Sequence, residues 1–539
     1  MSGWYLGVVL GSLVLGVGSK PTASTRIGDE VVAGPGAEAE EAAPLSSARR
    51  LKGLKRDVRS PYGDKRRRTV AKLAAMGGRQ AFALVLEALH DEEAEVADEA
   101  QLQLPAFELS LGTQSLQRTL LGRDGIRSKD GMVRLRVAEA LGRLEGPVDG
   151  GALLGRLERR DEAVSVALLW SLERLAIRGR LGPEATDLAH KLDRLFRPGV
   201  ADSVKARALT ALARLNPAGF VERRLELRAT RGREFACAFL AAEALAAEAL
   251  GSYDAARSSV REALVHTDPR QRAMGIRLLP DVRPQREDLQ ALAKRLGEEP
   301  RPALRARAVA TLQGLTGWKH RERMAPWVHS ISTLPADWIA PAPQAVDPSA
   351  ERDASAAEGE SIASLERLAP MSDRLGLLVD FSGSLWNERE DGTCRKDLLD
   401  PEMERLLDQL DPATRFTLIP FTGVPHPYAK GSVVATKREL ARAKRFFAKA
   451  NMRGQGNLYA AVQAALGDAE LDRLIILTDG APTGGVRWNV ELMGDLFVEQ
   501  TRFRPMIFDF VLLDAPPSLQ RAWASVARRT GGRILALKM

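Results

Sequence analysis

The sequence is almost empty of the side chains that build thiolate and imidazole chemistry. Its 539 residues include two cysteines, Cys237 and Cys394, far apart in the chain. That excludes a disulfide framework and any cysteine-rich metal centre, while leaving the redox compartment open. Histidine is nearly as scarce, with six in all. His320, His329 and His426 lie near tryptophans or prolines with no partner in the sequence, so imidazole acid–base work has little material. Aromatics make up only 5% of the chain, against an abundance of Ala, Leu, Arg and Glu. This composition favours helix over an all-β fold. The 78 basic and 70 acidic residues nearly cancel, leaving +8, too even a balance to imply a nucleic-acid partner.

Catalytic signatures are missing as well. The chain has no Gly-x-Ser-x-Gly elbow, no His-Glu-x-x-His and no phosphate loop ending in Gly-Lys-Ser/Thr. Asp380 beside a metal ion would suit attack on a phosphoryl group. That chemistry wants a second carboxylate two residues on, where this chain has Ser382. The expectation is a protein that is not an enzyme, with no catalytic residues and no organic cofactor.

What is present divides the chain into several parts, as its length requires. Residues 1–19 hold an apolar run too short to span a bilayer comfortably, followed by the small residues Val17-Gly18-Ser19. They read as a signal peptide, although no Lys or Arg precedes the run, and predict a periplasmic or secreted location. No other segment is apolar enough to span a membrane. Residues 20–60 read as a flexible acidic-then-basic tether. Ten Lys or Arg fall between 49 and 68 with a single aromatic, Tyr62, among them, which suits a solvated first helix and its lead-in rather than a phosphate-binding patch.

From 61 to 333 the chain repeats itself. Val133, Arg136, Leu141 and Leu144 share a frame with Val204, Arg207, Leu212 and Leu215, and with Leu304, Arg307, Leu312 and Leu315. Apolar residues at offsets 0, 8 and 11 fall on one helical face. The copies start 71 (204 − 133) and 100 (304 − 204) residues apart, close to two and three units of about 35 residues. A weaker copy at Val164, Leu172 and Leu175 has Ala167 at the arginine position. Units of this kind bury their apolar stripes only by stacking. The stretch resembles HEAT repeats, and by that resemblance Arg136, Arg207 and Arg307 are expected to tie one unit to the next. Trp318, Trp327 and Trp338 would seal the last unit, or else form an exposed platform. Residues 334–368, rich in Pro, Ala, Ser and acid, read as a linker.

Beyond 369 the pattern becomes strands alternating with helices. Strands are expected at 375–380, 415–421, 432–435, 474–478, 506–513 and 533–537. Helices are expected at 400–410, 437–450, 458–466, 489–503 and 518–530. Most of these strands are continuous apolar runs, which suit a buried, mostly parallel sheet covered on both faces. The fold class is therefore multidomain: an all-α repeat array followed by an α/β doubly wound, Rossmann-like domain. Such sheets bind ligands beyond the carboxyl ends of their strands. Asp380 ends one strand and Asp479 another. Ser382 and Ser384 follow Asp380, with Gly383 expected to allow a tight turn. Two carboxylates and two hydroxyls form an all-oxygen donor set that suits Mg²⁺, not Zn²⁺.

Asp380-Phe381-Ser382-Gly383-Ser384 after an apolar strand, with Thr478-Asp479-Gly480 after a later one, resembles the von Willebrand factor type A (VWA) domain over 369–539. The resemblance implies a metal-ion-dependent adhesion site. Asp380, Ser382 and Ser384 would ligate Mg²⁺, or Ca²⁺ or Mn²⁺ in its place. Asp479 would act directly or through water, and an acidic residue of a partner protein would complete the shell. One position departs from the family: Gly456 stands where a threonine hydroxyl is expected, with Gln455 and Asn457 beside it. The resulting expectation is a non-enzymatic, exported binding or assembly protein with a helical scaffold, no nucleic-acid partner and a metal site short of one ligand. Two alternatives are a scaffold that works without metal and a cytoplasmic VWA partner of a ring ATPase.

Overall fold

The computed structural model describes residues 47–157, 161–182, 185–230, 232–341, 371–388 and 392–537. The expected signal peptide, residues 20–46 of the tether and residues 342–368 of the linker lie outside them. The described end of the tether is helical, Ser47–Asp57, and buries Leu54 against the helices that follow. The described start of the linker is also packed. Ala340 is buried and its N–H donates to the Pro284 carbonyl at 2.9 Å.

One row of helices runs through the N-terminal region: Gly63–Met76, Ala94–Gln103, Gly131–Leu141, Glu162–Ile177, Asp202–Leu215, Arg233–Leu250, Pro269–Leu278 and Pro302–Thr316. Each packs on the next. Other helices, among them Arg79–Ala88, Asp254–Leu264 and Arg286–Glu298, pack against the row. The repeated apolar positions lie where the periodicity puts them. Val133, Leu141 and Leu144 are fully buried, and Val204, Leu212, Leu304 and Leu312 nearly so, within one continuous core. Small residues such as Ala138, Ala140 and Ala211 are buried between the rows and permit close approach. At the end of the row Trp327 is buried, its indole N–H donates to the Arg321 carbonyl at 2.7 Å, and Trp318 packs 6.3 Å away.

The C-terminal region is a six-stranded sheet. Its strands are β1 (Arg374–Asp380), β2 (Arg415–Phe421), β3 (Val433–Val434), β4 (Arg473–Thr478), β5 (Ile507–Leu513) and β6 (Ile534–Leu537), in the order β3-β2-β1-β4-β5-β6. All pairs are parallel except β2 with β3. Alternate residues of each apolar run serve opposite faces. Leu377 and Val379 face one core with Leu399, Leu406 and Phe447, while Leu378 faces the other with Val462, Phe497 and Trp523. The helix after β1 starts earlier than expected, at Arg395, because Cys394 and Asp397 form a reciprocal cap at its start.

The sheet unit is not held at a distance from the helices. It docks along the helical row through buried polar contacts. Arg487 donates to Gln101 Oε1 and Glu139 Oε1, both at 2.7 Å. The Asp98 carboxylate accepts from the backbone N–H groups of Trp488 and Asn489 at 2.6 and 2.7 Å, just before the helix Val490–Gln500. It thereby serves the positive end of that helix from across the interface. Further along the row, Arg502 forks onto Glu173 at 2.5 and 2.7 Å, and Phe503 is buried in the helical core beneath Arg207.

These contacts correct the expected role of the repeated arginines. Arg136 pairs with Asp98 of the neighbouring helix but also donates to the Val486 carbonyl at 2.6 Å. Arg207 donates to the Glu499 carbonyl at 2.9 Å, and Arg307 to the Thr530 carbonyl at 3.3 Å. The arginine at offset 3 therefore holds the sheet unit as well as, or instead of, its neighbouring repeat. Periodicity alone shows which face of a helix an arginine shares, not what approaches that face.

Candidate metal-binding rim

Because β1 and β4 are parallel neighbours, with Val379 beside Leu477, their carboxyl ends finish at one rim. Asp380 is only 6% exposed there. Its Oδ1 accepts from the Ser382 N–H and its Oδ2 from the Thr478 hydroxyl, both at 2.9 Å. The Ser382 and Ser384 hydroxyls lie 3.3 Å apart. Asp479 is half-buried and its Oδ1 accepts from the Ala481 N–H at 3.2 Å. Burial pushes the Asp380 carboxyl up to about 6. The Ser382 N–H and Thr478 hydroxyl pull it back, and the charge of Asp479 adds to the rise. Among the described residues neither carboxylate has a basic partner at salt-bridge distance.

The turn after β1 differs from expectation in detail. Gly383 has no need of glycine's freedom: its φ is ordinary and a Cβ there would meet nothing. It opens a short 3₁₀ turn, Gly383–Trp386. The demanding glycines are elsewhere. Gly480 sits at φ +90° directly after Asp479. A Cβ on Gly456 would lie 2.9 Å from both carboxylate oxygens of Asp380. A threonine at 456 would therefore need Asp380 to move.

The loop around Gly456 closes over the serines. The Gly383 N–H donates to the Gly454 carbonyl at 3.2 Å. The Asn457 side chain is committed elsewhere, accepting from the Ala460 N–H at 3.0 Å as a helix cap and donating to the Gly423 carbonyl at 2.9 Å. Gln455 is exposed and lies against Gly484. Neither replaces the absent threonine. A hydroxyl beside that position belongs to Thr483, which accepts from the Gly456 N–H at 2.6 Å. Two site residues, Thr478 and Thr483, thus escape the sequence reading. Thr478 was visible within Thr-Asp-Gly, whereas Thr483 reaches the rim only through tertiary structure.

The donors fit a hard cation. They are all oxygen, and the central carboxylate is desolvated without a counter-charge, the condition a divalent ion relieves. Among the described residues no cluster of three or more His, Cys, Asp and Glu suits a metal, so an ion here would lean on Ser382, Ser384 and water. The rim also carries positive charge of its own. Arg395 donates to the Ser384 carbonyl at 3.0 Å and pairs with Asp514 at 2.8 Å, and Arg453 lies over the Trp386 ring.

No family model matches the chain. Over 132 residues it is 26% identical to the inter-alpha-trypsin inhibitor heavy chain H2 of Mus musculus, covering 22% of this chain and only 13% of that protein. That partial match and the sheet with helices on both faces fit a VWA-like domain. Among solved structures, the proximal thread matrix protein 1 of the mussel byssus aligns with 31% of this chain and 41% of its own, at 15% identity and a TM-score of 0.23. The Deinococcus radiodurans RO (RSR) protein aligns with 93% and 92%, at 15% identity and a TM-score of 0.18. No helix among the described residues is long and apolar enough to cross a membrane.

Proposed function

We propose that this chain is a non-enzymatic protein-binding protein whose VWA-like unit captures a partner carboxylate through a divalent cation. Asp380, Ser382 and Ser384 would hold the ion, with Asp479 acting directly or through water. Mg²⁺ is the natural occupant, with Mn²⁺ or Ca²⁺ as substitutes. The helical row, in HEAT-like stacking, is the scaffold. The location proposed is outside the cytoplasm, from the character of residues 1–19. The observation that carries the reading is Asp380: a buried carboxylate with no basic partner among the described residues, beside two hydroxyls and a second carboxylate, at a ligand-binding rim.

When bound, the ion would supply a Lewis-acid centre with room for a foreign Asp or Glu as its last ligand. This chain's own groups do the positioning. The Thr478 hydroxyl and Ser382 N–H orient the Asp380 carboxylate, and Arg395 steers an incoming acid. The test is Mn²⁺ binding followed by electron paramagnetic resonance on the full chain. Wild type should bind saturably and Asp380→Ala should not, with both folded by circular dichroism. Equal Mn²⁺ binding by the two would sink the metal reading.

A second reading has an observation in its favour. The sheet unit is fastened to the helices by buried ion pairs, as a constitutive, metal-independent scaffold requires. Partner capture that survives both EDTA and Asp380→Ala would favour it.

A further inference from the structure

Far from the rim, the last helices of the row and the underside of the sheet unit enclose a cleft of about 990 Å³. Among the described residues its walls carry six arginines and no carboxylate. Arg473 and Arg529 are answered from nearby, by Asp509 and Asp495. Arg277 and Arg307 are not. Each donates to a backbone carbonyl, Arg502 at 2.9 Å and Thr530 at 3.3 Å, and neither meets a carboxylate at salt-bridge distance among the described residues. Burial, with Arg277 beside it, pulls the Arg307 guanidinium down to about 10. Between the arginines the wall is small and apolar, with Ala306, Ala310 and Ile507.

A solvent-reached cleft of this size, with concentrated positive charge and an apolar floor, has the make-up of a small-molecule site. Guanidinium forks match the oxygens of a phosphate. We propose that this cleft binds a small organic phosphate monoester, its head held by Arg277 and Arg307 and its body laid against Ala306, Ala310 and Ile507. The site is independent of the metal reading, since none of its residues belongs to the rim.

The test is calorimetric titration of the full chain with phenyl phosphate in EDTA, beside inorganic phosphate as the head group alone. Saturable binding of phenyl phosphate is expected, tighter than that of inorganic phosphate. Arg277→Gln and Arg307→Gln should each weaken it at least tenfold. Arg277 is exposed in the cleft and its one hydrogen bond to the sheet unit is an exposed one, so its variant should stay folded, with a melting temperature only slightly lowered. Arg118→Gln, in a separate cavity near Pro147, should change nothing. No saturable binding by wild type at about 10 mM, where affinity is negligible, would overturn the proposal, as would binding by the two cleft variants as tight as that of wild type.

One further arm addresses the chain itself. Pro341 and Met371 both line the cleft, and the 29 residues between them hold six carboxylates against two arginines. If phenyl phosphate binds only after those carboxylates become amides, the cleft belongs to that segment and the proposal fails.

Discussion

Asp98 and Asp380 are both buried carboxylates, 0% and 6% exposed, yet they sit in opposite circumstances. Asp98 faces Arg136 and Arg487 and accepts two backbone N–H groups. With Glu139 it completes a quartet of two positive and two negative charges, closed and neutral. Asp380 accepts from one backbone N–H and the Thr478 hydroxyl, and its other neighbours are serine hydroxyls and a second carboxylate. Burial of charge is tolerable when it is paired and hydrogen-bonded, and unfavourable otherwise. The first arrangement is a fastening and the second leaves a valence to be filled from outside. The same side chain thus does structural work at one end of the loop after β4 and offers a binding position at the other.

Breaking the closed set should have the largest effect. Arg487→Ala strands Glu139 in the interface, and such a loss costs about 3–5 kcal/mol. Urea denaturation should show it, and Arg487→Met with Glu139→Gln should recover much of it. A change below about 1 kcal/mol would mean that the quartet carries little weight.

The open set predicts the opposite sign. Asp380→Asn keeps the acceptor for Ser382 and removes the unpaired charge, so in EDTA at pH 7.5 it should stabilise the chain by about 2–3 kcal/mol. The pH dependence follows from the same residue. Its carboxyl titrates at 3.8 when unfolded and at about 6 in the fold. The folded state holds the proton more tightly, so this contribution is complete below pH 3.8 and declines as pH rises through 6. Wild type and Asp380→Asn should therefore converge in acid and part across that window. Mn²⁺ affinity should fall below pH 6, where protons compete for the carboxylate. Parallel stability curves would undo the contrast with Asp98.

Smaller changes sharpen it. Gly456→Thr restores a hydroxyl but puts its Cβ 2.9 Å from Asp380. It should cost about 1–2 kcal/mol of stability, with Mn²⁺ titration showing whether the hydroxyl is used. Arg395→Ala breaks a half-exposed pair with Asp514 and should shift stability by less than about 1 kcal/mol. Its effect should instead appear as a slower on-rate for an acidic partner.

Much of this was legible in the sequence because it is local. The apolar runs of β1, β2, β4 and β5 announce buried strands, and their end residues, Asp380 and Asp479, follow from where the runs stop. The stacked helices follow from the repeated stripe at Val133, Val204 and Leu304. What escaped is what depends on distance. Arg136 and Val486 are 350 positions apart in the chain, and nothing in either helix or loop periodicity pairs them. Thr483 reaches Gly456 across 27 positions, through a loop with no regular pattern. The loop around Gly456 was recognisable as a departure, but its closeness to Asp380 was not.

The loop from Asp479 to Asn489 begins at the rim and ends at Asp98. Its last two amide hydrogens, on Trp488 and Asn489, point at a carboxylate belonging to the other half of the molecule. Their exchange with solvent deuterium therefore requires the halves to part, however loosely the rest of the loop breathes. Two amides so placed act as a built-in gauge of separation. Measured with and without Mn²⁺, their exchange rates report whether filling the rim tightens or loosens the grip between sheet and helices.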